Sequence, residues 1–201
     1  MIITIARQSG SGGYTVGKIL ADKYGIPVYD QNSLSKLAKE RGIYDKMRGF
    51  FDEFPVNSLM YALSMDFRNK KFTEPERDAL EHLISDHDFV LIGRCGNYIF
   101  KKRPDCVSVF VHGELDYRVW YKTQLLHISQ KEALEIIHRA DDNRLAYHRY
   151  YTGTIWGEAK NYDISIDTSR IGHQAAANLI DQYIQNVKEA QKRTEPFYPL
   201  K

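Results

Sequence analysis

Residues 9–15, Ser9-Gly10-Ser11-Gly12-Gly13-Tyr14-Thr15, are the part of this 201-residue sequence best suited to holding an anion. Glycine lets a ligand approach the main chain closely and tolerates positive φ. The β-branched, uncharged run at 2–5 that precedes the loop has the composition of a strand covered on both faces. Residues 14–24 then read as a helix. Strand, Gly-rich loop and helix, in that order, aim backbone N–H groups and a positive helix end at a phosphate. A plain tight turn is the alternative reading.

The strict pattern G-x-x-x-x-G-K-[ST] is not met: 12–18 supplies G-x-x-x-x-G-K, but Ile19 stands where a hydroxyl residue belongs. The register S-G-x-G-K-x-T fits better. It keeps the glycines and places the Thr15 hydroxyl on the magnesium side. It also puts Gly13 in the lysine's place, leaving Lys18, Arg7 or an arginine further along to supply that charge.

Other candidates follow the predicted strands. Val28-Tyr29 ends on the carboxylate of Asp30, and the apolar run 89–92 ends on Gly93-Arg94, a guanidinium whose planar fork suits phosphate. Between 138 and 151, Arg139, Asp141, Asp142, Arg144, His148 and Arg149 crowd together, interleaved with tyrosines. Each has a plainer alternative: a capping aspartate at 30, a structural ion pair at 94, a charged helix face at 139–149.

The elements that must position these residues are legible in outline. Helices are expected at 32–41, 57–68, 73–86, 115–126, from 130 after a capping box at Ser129-Gln130-Lys131-Glu132, and at 173–187. Strands are expected at 107–111 and 162–167 besides those above. Five short strands alternating with helices argue for an α/β fold with a largely parallel sheet. Ligands bind such sheets at the carboxyl ends of the strands, which gathers 9–15, Asp30 and Arg94 on one edge. An aromatic and Met-rich segment, 43–72, would be a cap or ordinary packing, and a polar tail follows 188.

Composition narrows the class further. With 28 basic and 26 acidic residues the chain has no nucleic-acid footprint, so RNA binding through the Tyr/Arg mixture at 144–151 is a poor fit. Two cysteines give neither a disulfide framework nor metal spacing, and no apolar run reaches 18 residues. A soluble cytoplasmic protein with no membrane partner is expected, its first strand beginning too soon for a signal peptide.

Taken in order, the loop 9–15, Val28-Tyr29-Asp30, Ile92-Gly93-Arg94, the cluster 139–149 and the run 162–169 resemble the cytidylate kinase-like branch of the P-loop nucleoside monophosphate kinases. The resemblance spans about 2–187. It implies a P-loop nucleotide kinase-type parallel sheet flanked by helices: one domain, 1–188, with a helical acceptor-binding insertion near 31–72 and a LID near 138–158. ATP with Mg²⁺ would be the donor and a nucleoside monophosphate, typically CMP or dCMP, the acceptor. Ser9, Gly10, Ser11, Gly12, Gly13, Tyr14, Thr15 and Lys18 would hold ATP, with Thr15 on the metal. Arg94, Asp30, Arg139, Arg144 and Asp141 would serve catalysis. Lys36, Arg94, Asp141 and Arg149 would hold the acceptor, Lys36 falling where the family has an arginine. Two positions depart from the pattern: Gly13 replaces the loop lysine, and Cys95 replaces an aspartate that follows Gly-Arg. A regulatory module that binds nucleotide with little turnover is the alternative function.

Overall fold

The β-branched run near the start of the chain becomes the central strand, β1 (Ile2–Arg7). The computed structural model describes residues 1–45, 48–51, 74–84 and 88–192. Beside β1 stand β2 (Val28–Tyr29), β3 (Phe89–Ile92), β4 (Cys106–His112) and β5 (Ile164–Asp167). The order is β2-β3-β1-β4-β5 and every neighbouring pair is parallel.

Side chains alternate between the faces with the strand period of two. Ile2, Phe89 and Leu91 enter one core, with Leu34, Phe51 and Leu80. Ile3, Ile5, Val90 and Ile92 enter the other, with Leu20 and Ile180. Helices cover both faces, which is why these strands are apolar throughout rather than alternating in polarity.

The first face is covered by α2 (Gln31–Glu40), α3 (Arg48–Phe51), α4 (Glu74–Leu83) and the one-turn α5 (Gly96–Ile99). The second is covered by α1 (Gly13–Tyr24) and α8 (Thr168–Gln191). Two further helices, α6 (Leu115–Leu126) and α7 (Gln130–Thr152), rise beyond the carboxyl ends of the strands. Chain order places β2 and β3 on one side of β1, β4 and β5 on the other. The carboxyl end of β1 is therefore a topological switch point, where open parallel sheets bind ligands.

Several local expectations are refined. The helix expected at 32–41 starts one residue earlier, because Asp30 caps it: its carboxylate accepts from the Ser33 N–H at 2.9 Å, and the Ser33 hydroxyl answers the Asp30 N–H. The cluster at 139–149 forms the second half of α7, one continuous 23-residue helix opened by the Ser129–Glu132 capping box. The closing helix extends back to Thr168 across a kink at Gly172, whose φ of 76° lies in the left-handed region. The helix expected at 57–68, most of the aromatic segment and the last nine residues lie outside the described residues. Among the described residues no helix is long and apolar enough to cross a membrane.

Candidate active site

The loop between β1 and α1 is built for close approach. Gly10 and Gly12 have φ of 82° and 75°, conformations costly for any side chain with a Cβ. Gly12 is the N-cap of α1 and has no side chain to spend on the helix's first N–H groups. Between the glycines Ser11 anchors the loop: its buried hydroxyl donates to the carbonyls of Gln8 (2.9 Å) and Val111 (3.1 Å). The Thr168 hydroxyl, at the start of α8, donates to the Ser11 carbonyl at 2.7 Å.

A charged hub closes over this loop. Asp141, on α7, accepts the Ser9 N–H on Oδ1 at 2.7 Å and Arg118 Nη1 on Oδ2 at 2.7 Å. Arg144, one turn along, donates to Asp141 Oδ1 (3.4 Å) and to the Arg7 carbonyl (3.2 Å). Arg118 also reaches the Ser9 carbonyl, and its buried Nε–H has no hydrogen-bond partner. Lys122, one turn from Arg118, is half-buried. Its pKa is lowered first by that burial and then by the cationic neighbours Arg144 and Arg7. Among the described residues, Arg118 and Arg144 share the Asp141 carboxylate, with Lys122 beside them.

Arg94 lies across from the hub, directly after β3. It is buried, with φ of 53°; Nη1 donates to the Phe50 carbonyl at 2.8 Å and the guanidinium sits 5.0 Å from the Tyr147 ring. Tyr147 donates its hydroxyl to the same carbonyl. Arg7, Gln31, Arg94, Arg144, His148 and Trp156 line one cleft between the sheet edge and α7. Trp156 also packs edge-on against Phe110, with ring centroids 5.3 Å apart.

The structure therefore brings together the 9–15 loop, Asp141 and Arg144, with Arg94 on the same cleft. It does not gather every predicted residue. Lys18 is turned along α1 into an exposed pair with Asp22, away from the loop. Lys36 is 80 % exposed and faces Glu40 on the outer side of α2. Arg139 is exposed, two residues from Asp141 and so on the opposite side of α7. Arg149 is half-buried, outside the Asp141 hub. Asp30 caps α2, and Tyr14 is exposed above the first turn of α1. Cys95 is buried, which pushes its thiol pKa far up.

Arg118, Tyr121, Lys122 and His173 escaped the sequence reading. A cation pair at 118 and 122, spaced to share a helix face, was the available signal. Tyr121 hydrogen-bonds the Thr15 hydroxyl (3.0 Å), and the His173 ring packs so closely on Gly12 that a Cβ there would overlap it.

The uncapped start of α1, the buried Arg118 Nε–H without a hydrogen-bond partner and a cluster of cationic side chains fit the phosphates of a nucleoside triphosphate. Magnesium fits as an ion carried by those phosphates. Among the described residues no group of three His, Cys, Asp or Glu could hold a metal, and Mg²⁺ ordinarily combines few protein ligands with phosphate and water.

Fold and site together define a P-loop kinase-type phosphotransferase. Residues 2–170 match the cytidylate kinase-like family, and the chain belongs to it. Its relatives include the cytidylate kinase of Methanocella arvoryzae, 30 % identical, with 94 % of this chain and all of that protein covered. The cytidylate kinase of Methanocaldococcus jannaschii is 25 % identical at the same coverage. Among solved structures, an uncharacterized protein from Eubacterium ventriosum superposes with a TM-score of 0.70 at 26 % identity, covering 92 % of this chain and 98 % of that one. A gluconokinase from Sinorhizobium meliloti shares the fold alone, with a TM-score of 0.50 at 15 % identity, covering 95 % and 97 % of the two chains.

Proposed function

We propose that this protein transfers the γ-phosphoryl group of ATP to a nucleoside monophosphate such as CMP or dCMP, or to a related small phosphorylated acceptor. One observation carries the reading: the Arg118–Asp141–Arg144 hub is tied to the Gly-rich loop beside the cleft that Arg94 lines. The names of the archaeal relatives support cytidylate as the acceptor.

Phosphoryl transfer is mostly positioning and neutralisation of charge. In this reading the N–H groups at the start of α1, residues 13–15, hold the donor's phosphates, while Ser9 and Ser11 keep the loop in shape through their bonds to Asp141 and Gln8. Mg²⁺ carried by those phosphates would neutralise part of their charge, and the Thr15 hydroxyl is the group of this chain that would hold it. Arg94 orients the acceptor phosphate, one of whose oxygens attacks the γ-phosphorus as the bond to the β–γ bridging oxygen breaks and ADP leaves. Arg144, and Arg118 which the sequence reading missed, exchange part of their contact with Asp141 for the transferring group. Residues near 31–72 would form the acceptor side and 138–158 the LID, hinged at Gly153, which ends α7 with a φ of 69°. A cytoplasmic setting belongs to the same reading and is supported by two unpaired cysteines, Cys95 and Cys106.

The glycine at position 13 favours a second reading, a regulatory module that binds nucleotide without turnover. ³¹P NMR of the protein with Mg-ATP and pooled ribo- and deoxyribonucleoside monophosphates separates the two. New diphosphate signals beside ADP are expected, and single acceptors then identify the substrate. ATP that binds but stays intact would favour the regulatory module or an acceptor outside the pool, and ATP that does not bind would overturn the loop reading.

A further inference from the structure

Position 13 is glycine in a loop whose register calls for lysine, and the side chain of Arg7 occupies the space above it. A Cβ placed on Gly13 would lie 2.5 Å from Arg7 Cβ and 2.8 Å from Arg7 Cγ, closer than side-chain carbons tolerate. Any side chain at 13 would displace the Arg7 stem, and the stem can lie there only because 13 has none. The two positions are complementary.

Beyond that stem the guanidinium reaches the carboxyl end of β3. Arg7 Nη1 lies where a Cβ on Gly93 would project, which places the guanidinium at this strand end; the glycine itself is required by its φ of 78°. The Arg7 guanidinium therefore lies between the Gly-rich loop and Arg94, on the cleft that Arg94 and Arg144 share. Arg144 donates to the Arg7 carbonyl, fixing where the strand ends and the side chain departs. Burial, then the Arg144 charge and then the Arg7 charge lower the Lys122 pKa, so a further cationic side chain faces the same region.

We propose that Arg7 is the cation of this phosphate loop. It comes from the strand end rather than from the helix, crosses the bare Gly13, and contacts the β- and γ-phosphates of a nucleoside triphosphate where they face the acceptor. The assignment rests on the phosphotransferase reading and deepens it. Arginine chemistry suits that role, because its fork binds two phosphate oxygens at once and it stays charged at any working pH.

The proposal is tested by a charge swap read in two independent assays. Calorimetry with ATP, inorganic tripolyphosphate and adenosine measures binding; ADP formation measures transfer. Arg7→Met keeps the packed stem and removes the charge. It is expected to weaken ATP and tripolyphosphate by about tenfold or more, leave adenosine unchanged, and slow transfer by about a hundredfold. Arg7→Lys should recover part of both. Gly13→Lys in the wild-type background should weaken binding by dislodging the Arg7 stem, whereas Arg7→Ala/Gly13→Lys should bind triphosphate more tightly than Arg7→Ala alone.

Arg7→Met with wild-type affinity and rate would overturn the proposal. So would a folded double variant no better than Arg7→Ala, judged at equal melting temperature. A wild-type protein that binds ATP through Arg7 but transfers to no acceptor would sustain the Arg7 assignment and sink the kinase reading. One that binds neither ATP nor tripolyphosphate would overturn both.

Discussion

His148 shows how one residue of the cleft reports on its surroundings. It is buried, its Nε2 lies 2.9 Å from the Thr154 hydroxyl, and burial pushes its pKa down to about 4 from an ordinary 6.5. Between those values the unfolded chain holds a proton that the native protein does not, so stability rises with pH across that interval. This contribution is complete above pH 6.5 and is lost as pH falls toward 4. The slope is at most about 1.4 kcal/mol per pH unit. Denaturant titrations of wild type and His148→Gln between about pH 4 and 7 isolate it. The difference in slope should lie in this window, and identical slopes would show that the imidazole is freely protonated in the native state. Protonation would also add a cation to a cleft already rich in arginine, so the tertiary environment favours a neutral ring.

At the scale of elements, capping decides where α2 and α7 begin. The reciprocal bonds of Asp30 with Ser33 and of Ser129 with Glu132 satisfy N–H groups that each helix would otherwise leave unpaired. Asp30→Ala should cost about 1 kcal/mol of stability, and Asp30→Ser should restore most of it, since serine caps nearly as well. The pair also separates capping from catalysis. With the cap restored, transfer by Asp30→Ser should return with stability if the carboxylate serves α2 alone. A stable but inactive serine variant would give Asp30 a part in the reaction as well. The same logic accounts for Lys18 and Lys36: each has an acid four residues on, and that local pairing draws it along its own helix.

At the scale of the whole molecule, Asp141 joins three distant parts of the chain: the loop at Ser9, α6 through Arg118 and α7 through Arg144. The Arg118 and Asp141 side chains are only 10 % and 18 % exposed, so removing the carboxylate strands a largely buried cation. Asp141→Asn should therefore lower stability by about 3 kcal/mol, seen as a reduced urea midpoint with an unchanged denaturant slope. Amide exchange should speed up in the loop and α7 together. A loss confined to α7 would mean that the hub does not couple the lid-like helix to the loop.

Local chemistry was enough to place the central strand, the glycine loop, the Ser129–Glu132 capping box and the alternation of strands with helices. Burial on both faces demands apolar runs, helix starts demand particular hydrogen-bonding side chains, and tight loops demand glycine. Those demands act over a few residues and are written in neighbouring letters, so the α/β class and the loop 9–15 were legible. Which charges meet at the loop was not. Arg118 and Lys122 sit on a helix with little apolar periodicity, and Arg139 looks in sequence as eligible as Arg144. Tertiary structure decided between them: parallel pairing sets Arg7 opposite Val111, the rotation of α7 turns Asp141 and Arg144 inward, and α6 packs Arg118 against Gly10. Contacts between residues far apart in the chain depend on how elements stack and rotate, and no spacing in the sequence encodes that directly.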